Sequence, residues 1–251
     1  NQENKGLSAS RNLGISISKG TVIALIDADD LWNNKFLEAI FNLYSNFPEA
    51  SFYGTDYIEK YSDSNYLEPK KNIKSSLKGQ SFIIEDFFLT NTFQSIINPS
   101  SLAFKKDISH LFLFDENINY AEDVDFYLKC FNTYKLAYHY APLATLLYNI
   151  PNQITKNGVK GKELPDLNKY EKLNPNNVSL KKYLDFKRYM YAIDFKLLND
   201  IENFNNFKKN IDFKNLSKKQ KWLLKSPITV LKTIKFIKKA LLKQNIRLTS
   251  Y

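Results

Sequence analysis

Cysteine is almost missing from this chain: Cys130 stands alone, so no internal disulfide can form, and with two histidines there is no Cys/His cluster to hold zinc. That composition suits a reducing, cytoplasmic setting. No apolar run reaches the ~18 to 20 residues that a membrane span requires, and the N-terminus lacks a basic-plus-apolar leader. The expectation is a protein that is soluble or lies on the inner face of the cytoplasmic membrane without crossing it. No internal repeat is present, and the chain opens at Asn1 in polar sequence rather than at Met, which suggests that an upstream part is left out. Acid is scarce at the other end. From position 207 to 247 there are thirteen basic residues and one acid, Asp212, so this stretch carries +12 of a net +10 and the rest of the chain carries −2.

What is present is apolar and aromatic. A 251-residue chain that is 43% hydrophobic and 15% aromatic has material for one good core plus an appendage, which excludes a disordered protein. "LSASRNLGISISKG", with Leu7, Leu13 and Ile17 at helical spacing, predicts a short helix stopped by Gly20. "TVIALID" predicts a strand buried on both faces; "NKFLEAIFNLYSNF" a second helix closed by Pro48; "ASFYGTDYIEKY" the next strand, followed by a loop to Gly79. "SFIIEDFFLT" reads as helix, "PSSLAFKK" as strand, "YAEDVDFYLKCFNT" as helix, and "LAYHYAPLATLLYN" as a strand pair or a strand bent at Pro142. This order predicts an α/β domain over residues 1–150, a linker over 151–175 and a basic helical region over 176–251.

Three carboxylates, Asp27, Asp29 and Asp30, crowd the carboxyl end of the first predicted strand, the place where α/β domains bind ligands. Such a triplet can be a solvated turn that caps the next helix. On a rigid strand edge it can instead hold a divalent cation, and oxygen donors suit Mg²⁺ or Mn²⁺ with substrate phosphates completing the shell. The spacing excludes an EF-hand, which needs a third ligand position and a central glycine. An aspartate-nucleophile phosphatase also places D-x-D after a strand, but Leu31 occupies the position where such enzymes carry Thr or Val. Far downstream, Glu122 and Asp123 open a predicted helix. Alone they are dipole-favoured first-turn acids, worth ~0.3 to 1 kcal/mol; paired with the first cluster, they suggest a carboxylate base opposite a phosphate-holding cation.

"NKGLSASRNLGISISKGTVIALIDADDLW", "INPSSLAFKK", "LFDENINYAEDVDFYLK" and "YHYAPLATLLYN" together resemble the inverting glycosyltransferases of the GT-A fold known as family two, over residues 4–149. The resemblance implies a GT-A, Rossmann-like domain with a C-terminal helical extension. It implies a nucleotide-sugar donor, a glycan or lipid-linked acceptor, and one sugar moved per binding event with inversion, as in bacterial surface polysaccharide or lipopolysaccharide synthesis. It further implies that Asp27 and Asp29 form the DXD motif, facing the nucleotide ribose and the metal, with Asp30 assisting; that Arg11 lies beside the nucleotide; that Asp123 is the general base with Glu122 next to it; and that Asp56 lines the acceptor side. Single displacement needs no protein nucleophile, consistent with the lack of a Ser/His or Cys/His arrangement. Family members usually open with a "VSVIIPvYN" strand unit that nothing here matches, so the domain is expected to be N-terminally incomplete, and a noncatalytic fragment stays an alternative beside the phosphatase. Asn149 stands where an arginine is common. Gln-x-x-Arg-Trp, the mark of processive members, is absent.

In the tail, "ITVLKTIKFIKKALLKQNIRL" places Val230, Ile234, Ile237 and Leu241 on one helical face and Lys232, Lys235, Lys239 and Lys243 on the other. Such a helix either adsorbs to an anionic membrane surface or docks on the domain with its lysines in water. No nucleic-acid module is recognisable, and no nucleic-acid partner is expected.

Overall fold

A computed structural model describes residues 3–150 and 158–249. In chain order the helices are α1 (Leu7–Ile17), α2 (Phe36–Asn46), α3 (Phe87–Thr90), α4 (Glu122–Cys130), α5 (Leu167–Leu173), α6 (Val178–Leu197), α7 (Ile201–Lys208), α8 (Lys218–Lys225) and α9 (Ile228–Leu242). The strands are β1 (Val22–Ala24), β2 (Leu31–Trp32), β3 (Phe52–Ser62), β4 (Asn65–Leu67), β5 (Ser81–Ile84), β6 (Leu102–Lys105) and β7 (Leu136–Leu147). They form one mixed sheet in the order β1-β6-β3-β7-β2, with β4 added to β3 and β5 to β7. The two long strands, β3 and β7, run parallel at its centre and slip register around Asp56, which pairs with Pro142. The bend expected at that proline is therefore present within a single strand.

Each sheet face is covered differently. Phe36, Ile40 and Leu43 of α2 pack with Tyr53, Ala103 and Ala137 on one side. On the other, Phe52, Phe104 and Phe126 meet Phe112 and Phe131 in an aromatic cluster. That core runs on without a break into Tyr183, Leu184, Tyr189 and Phe195 of α6 and Leu231 of α9. The basic helical region thus shares its core with the sheet.

Several local expectations are corrected. β1 is three residues long and lies at the sheet's end, paired to β6, with Ile26 beyond it 47% exposed; the oily run does not pass through a two-sided interior. Gly20 does not stop α1, which ends at Ser18 in extended backbone. Residues 81–84 pair with β7 as a strand, and the helix starts only after Asp86, whose carboxylate accepts from the Leu89 amide at 2.8 Å. The loop to Gly79 includes β4. In the segment expected as linker, residues 151–157 lie outside the described residues, while Asp166 caps α5 and Tyr170 of that helix is buried.

Helix α9 docks on the domain through Leu231 and Ile234; of the face expected to meet a membrane, Ile234 packs against protein and Ile237 is exposed. Beyond it, Asn65 Nδ2 donates to the Leu242 carbonyl at 2.7 Å, and Arg247 pairs with the buried Glu59. No helix among the described residues is long and apolar enough to cross a membrane.

Candidate active site

The acids after β1 form a tight turn, closed by the Asp30 amide donating to the Asp27 carbonyl at 3.0 Å. They cap no helix: α2 begins at Phe36, behind Lys35. A fully buried serine fixes the turn from below. Ser100 Oγ accepts from the Asp27 amide at 2.9 Å and donates to Asp30 Oδ2 at 2.5 Å, while its carbonyl accepts from the Trp32 indole at 2.6 Å. Asp30 Oδ1 also accepts from the Leu147 amide at 3.2 Å. Burial pushes the Asp30 carboxyl up to about 6, against the hydrogen bonds from Ser100 and Leu147. Ser100 was legible only as part of the "NPSS" match; nothing in its spacing announces this role.

The second acidic group enters through a strained backbone. Ala121 has φ 58 and ψ 35, the left-handed region, immediately before Glu122 and Asp123 in the first turn of α4. For a residue with a Cβ this costs about 1–2 kcal/mol, and such strain concentrates at working sites. Asp123 Oδ1 accepts from the Val124 amide at 2.8 Å.

Arg11, on α1, ties the two groups together. One guanidinium nitrogen donates to both Asp27 oxygens at 2.7 and 2.9 Å, and the other donates to Glu122 Oε1 at 2.8 Å. The group lies 5.0 Å from the Phe114 ring centroid. Burial works against the Arg11 charge, but Asp27 and Glu122 outweigh it and raise its pKa. For Glu122 burial raises the pKa, Asp123 adds to the rise and Arg11 opposes it. Arg11 is only 8% exposed and bridges two carboxylates that balance its charge, while it also lines the cavity.

These residues surround one cavity of about 690 Å³, lined by Arg11, Asp27, Asp29, Asp30, Glu122 and Asp123. All six predicted site residues of the two motifs are thus brought together. Asp56 is not among them. It is 2% exposed and paired with the buried Lys71, because the slip in β3 turns it inward, and the acceptor-side expectation fails there. Asn149 takes the left-handed conformation, φ 67, and donates to the Tyr61 carbonyl at 3.2 Å at the end of the β3–β7 pair. Tyr120, Tyr148, Lys187, Met190 and Tyr191 also line the cavity. The last three come from α6, and only the tertiary fold reveals them.

The donor set fits a hard cation on limited terms. Among the described residues no three His, Cys, Asp or Glu side chains converge as a ligand group. Asp27 is engaged by Arg11, and Asp30 by Ser100 and Leu147, which corrects the expectation of three carboxylates on one metal. Asp29, in the middle of the turn, lines the cavity. One carboxylate with phosphate oxygens completing the shell is the pattern Mg²⁺ accepts.

Comparison with known proteins agrees with this geometry. Residues 1–112 match the sequence pattern described as Glycosyl transferase family 2. An uncharacterized glycosyltransferase of Methanocaldococcus jannaschii is 28% identical over 158 residues, covering 61% of this chain and 50% of the relative. Glycosyltransferase GlyG of Streptococcus pneumoniae is 29% identical over 113 residues, 45% of this chain and 34% of the relative. The chain thus spans half or less of these relatives. Among solved structures, residues 1–349 of S. aureus TarS in complex with UDP-GlcNAc superpose with a TM-score of 0.56 at 12% identity, over 92% of this chain and 72% of that one; at that identity the likeness concerns the fold.

Proposed function

We propose that this chain, whose residues 1–112 match glycosyl transferase family 2 and whose fold is GT-A, transfers a single sugar from a nucleotide sugar to a hydroxyl of a glycan or lipid-linked acceptor, with inversion. The observation that carries the reading is the meeting of Asp29 and Asp123, from motifs far apart in sequence, on one cavity. Asp123 accepts the acceptor's hydroxyl proton as the oxygen attacks the anomeric carbon. The bond to the diphosphate breaks on the opposite face, and its electron pair leaves with the diphosphate. Glu122 and Asp27 hold Arg11 between them and keep both acidic segments in place, and Ser100 keeps the turn at its height. Asp29 would hold Mg²⁺ or Mn²⁺, which would supply neutralisation of the charge on the leaving diphosphate.

The product we propose is a bacterial surface polysaccharide or lipopolysaccharide, the class that the sequence resemblance implies. We also propose an anionic membrane as a partner surface. Phe236 is 74% exposed and Ile237 46% on the outer side of α9, among Lys232, Lys235 and Lys239, so an apolar wedge is flanked by positive charge. Flotation with anionic liposomes is expected to carry the wild type and lose a Phe236→Ser/Lys232→Glu/Lys239→Glu variant; equal flotation of both would remove this part.

The deciding experiment for the chemistry screens nucleotide sugars for Mn²⁺-dependent binding by calorimetry and then measures transfer. Asp123→Asn is expected to lower transfer by 10²- to 10⁴-fold, the usual contribution of a positioned base, with donor binding kept. Asp29→Ala is expected to abolish metal-dependent donor binding. Phosphate-monoester hydrolysis abolished by Asp27→Asn would favour a phosphatase instead.

A further inference from the structure

Five consecutive residues, Asn119 to Asp123, line the cavity, and the left-handed Ala121 stands in the middle of them. A residue with a Cβ keeps such a backbone only where its surroundings over-determine it. Part of the hold is local: the Val124 and Asp125 amides donate to the Ala121 carbonyl at 3.0 and 3.3 Å. The rest comes from a segment 44 to 45 residues further along the chain. At one end of the stretch, the Asn119 amide donates to the Glu163 carbonyl at 3.3 Å and Asn119 Oδ1 accepts from the Glu163 amide at 3.0 Å. At the other, the Tyr170 hydroxyl donates to Asp125 Oδ1 at 2.6 Å, and both residues are buried. Residues 163–170 thus grip the cavity-lining stretch on both sides of its strained residue.

The two grips differ in strength. The contacts with Glu163 are open to water, whereas the phenol and the Asp125 carboxylate meet out of it, and hydrogen bonds to an ionised group are about twice as strong as neutral ones. Tyr170 has a firm base. Its helix, α5, is tied to α6 by Arg188, 1% exposed, which donates to Asn168 Oδ1 at 2.8 Å and pairs with Glu171 at 2.5 Å. The second Asp125 oxygen pairs with Lys129 at 2.7 Å; that pair lies within α4 and fixes nothing against the rest of the fold. The phenol instead links the first turn of α4 to α5 and, through Arg188, to α6. Because the Asp125 amide hangs from the Ala121 carbonyl, this link acts on the same turn that carries Asp123.

We propose that Tyr170 is a positioning residue for the base: through Asp125 it holds Ala121 in the left-handed region and so fixes where the Asp123 carboxylate meets the acceptor hydroxyl. This rests on the glycosyltransferase reading. The helical region then completes the site as well as packing beneath it, since without the phenol the first turn of α4 relaxes and Asp123 leaves its station.

The test uses the full chain carrying Tyr170→Phe, which keeps the buried ring and removes one hydroxyl. Donor binding, read by calorimetry with Mn²⁺, is expected to stay within about twofold, while kcat falls about 10- to 100-fold, the cost of a slightly misplaced catalytic group. Hydrogen exchange at the Val124 and Asp125 amides, read by NMR, is expected to quicken about tenfold or more, the contribution of a hydrogen bond to a charged group, with exchange in α2 unchanged. Asp125→Asn, whose side-chain oxygen still accepts from the phenol, should keep most of kcat. Ala121→Gly lets the left-handed backbone form at little cost, so on that background the kcat loss from Tyr170→Phe should shrink about threefold or more, as coupled neighbours do; a merely structural contact would cost the same on both backgrounds. Unchanged kcat or unchanged exchange in Tyr170→Phe overturns the proposal, as does quickening spread through the whole chain, an equal loss on both backgrounds, or Asp125→Asn faring no better than Tyr170→Phe. Absence of transfer by the wild type from any nucleotide sugar sinks the transferase reading separately, since the exchange result needs no substrate.

Discussion

Replacing Arg11 by methionine tests the central claim about the site, that a buried cation holds two acidic segments together. The Arg11 side chain is 7% exposed, against 16% for Glu122 and 28% for Asp27. Charges about 4 Å apart at an effective dielectric near 20 attract by about 4 kcal/mol per pair, and the half-wet Asp27 pair counts for less. Part of that attraction only offsets the cost of taking the guanidinium out of water. Removing it strands two carboxylates, a class of change that costs about 3–5 kcal/mol. Methionine keeps contact with Phe114, so packing loss is small. The assay is urea unfolding at pH 7.5, read as a shift in midpoint at unchanged slope. A triple variant, Arg11→Met/Asp27→Asn/Glu122→Gln, is expected to regain most of the loss, because no buried charge is left unpaired. The single variant should also recover in mild acid: Glu122, already raised by burial, rises further without Arg11 and takes up a proton. A loss below about 1 kcal/mol for Arg11→Met, or a triple variant no better than the single one, refutes the bridge.

Three other perturbations follow from geometry. Ala121→Gly removes the left-handed penalty of about 1–2 kcal/mol but adds unfolded-state entropy of about 0.4–1 kcal/mol; thermal unfolding should show unchanged or slightly raised stability, and a loss above 1 kcal/mol would contradict the strain. Gly54→Ala puts a Cβ 2.8 Å from Ile97 Cγ2 and 3.3 Å from Leu136 Cδ1 at the sheet centre, so overpacking of about 1–3 kcal/mol is expected in urea titrations. Asp194 is raised from 3.8 to about 6 by burial, with Lys235 opposing, and Tyr120 and Tyr191 nearby sense its charge. The folded state therefore binds its proton more tightly than the unfolded chain, and its contribution falls as pH climbs from about 4 to 6. Asp194→Asn should add about 3 kcal/mol at pH 7.5 and little near pH 4; a pH-independent difference would refute this.

The sequence made α1, α2, α4 and β3 legible because their signals are local: apolar residues at helical spacing, β-branched and aromatic runs, and turn residues between them. The two acidic motifs were legible as chemistry, and their meeting in space followed from the resemblance rather than from spacing. Other features depend on distant partners. Residues 81–84 look helical when read with the phenylalanines that follow, yet an open edge on β7 claims them as a strand. Arg11 is expected beside the nucleotide from the resemblance, but its bridge between Asp27 and Glu122 depends on the fold. Asp56 reads as a strand-end acid until a register slip, set by the bend at Pro142, turns it toward Lys71. Lys187 and Tyr191 lie in a helix with little amphipathic contrast, and only the shared core of α6 and the sheet places them at the cavity.

The pairing of Arg247 with Glu59 spans 188 positions, which sets an order of events during synthesis. Glu59 leaves the ribosome 188 residues before Arg247, on the strand at the centre of the sheet, and its carboxylate is destined for the interior. Its cation emerges only after α4 to α9 have been made. Until then Glu59 has the Tyr61 hydroxyl as its partner, and the β3–β4 ribbon stays unclosed at its outer end. The pairing therefore acts as a clasp, fastened by the basic tail onto a strand made 188 residues before it.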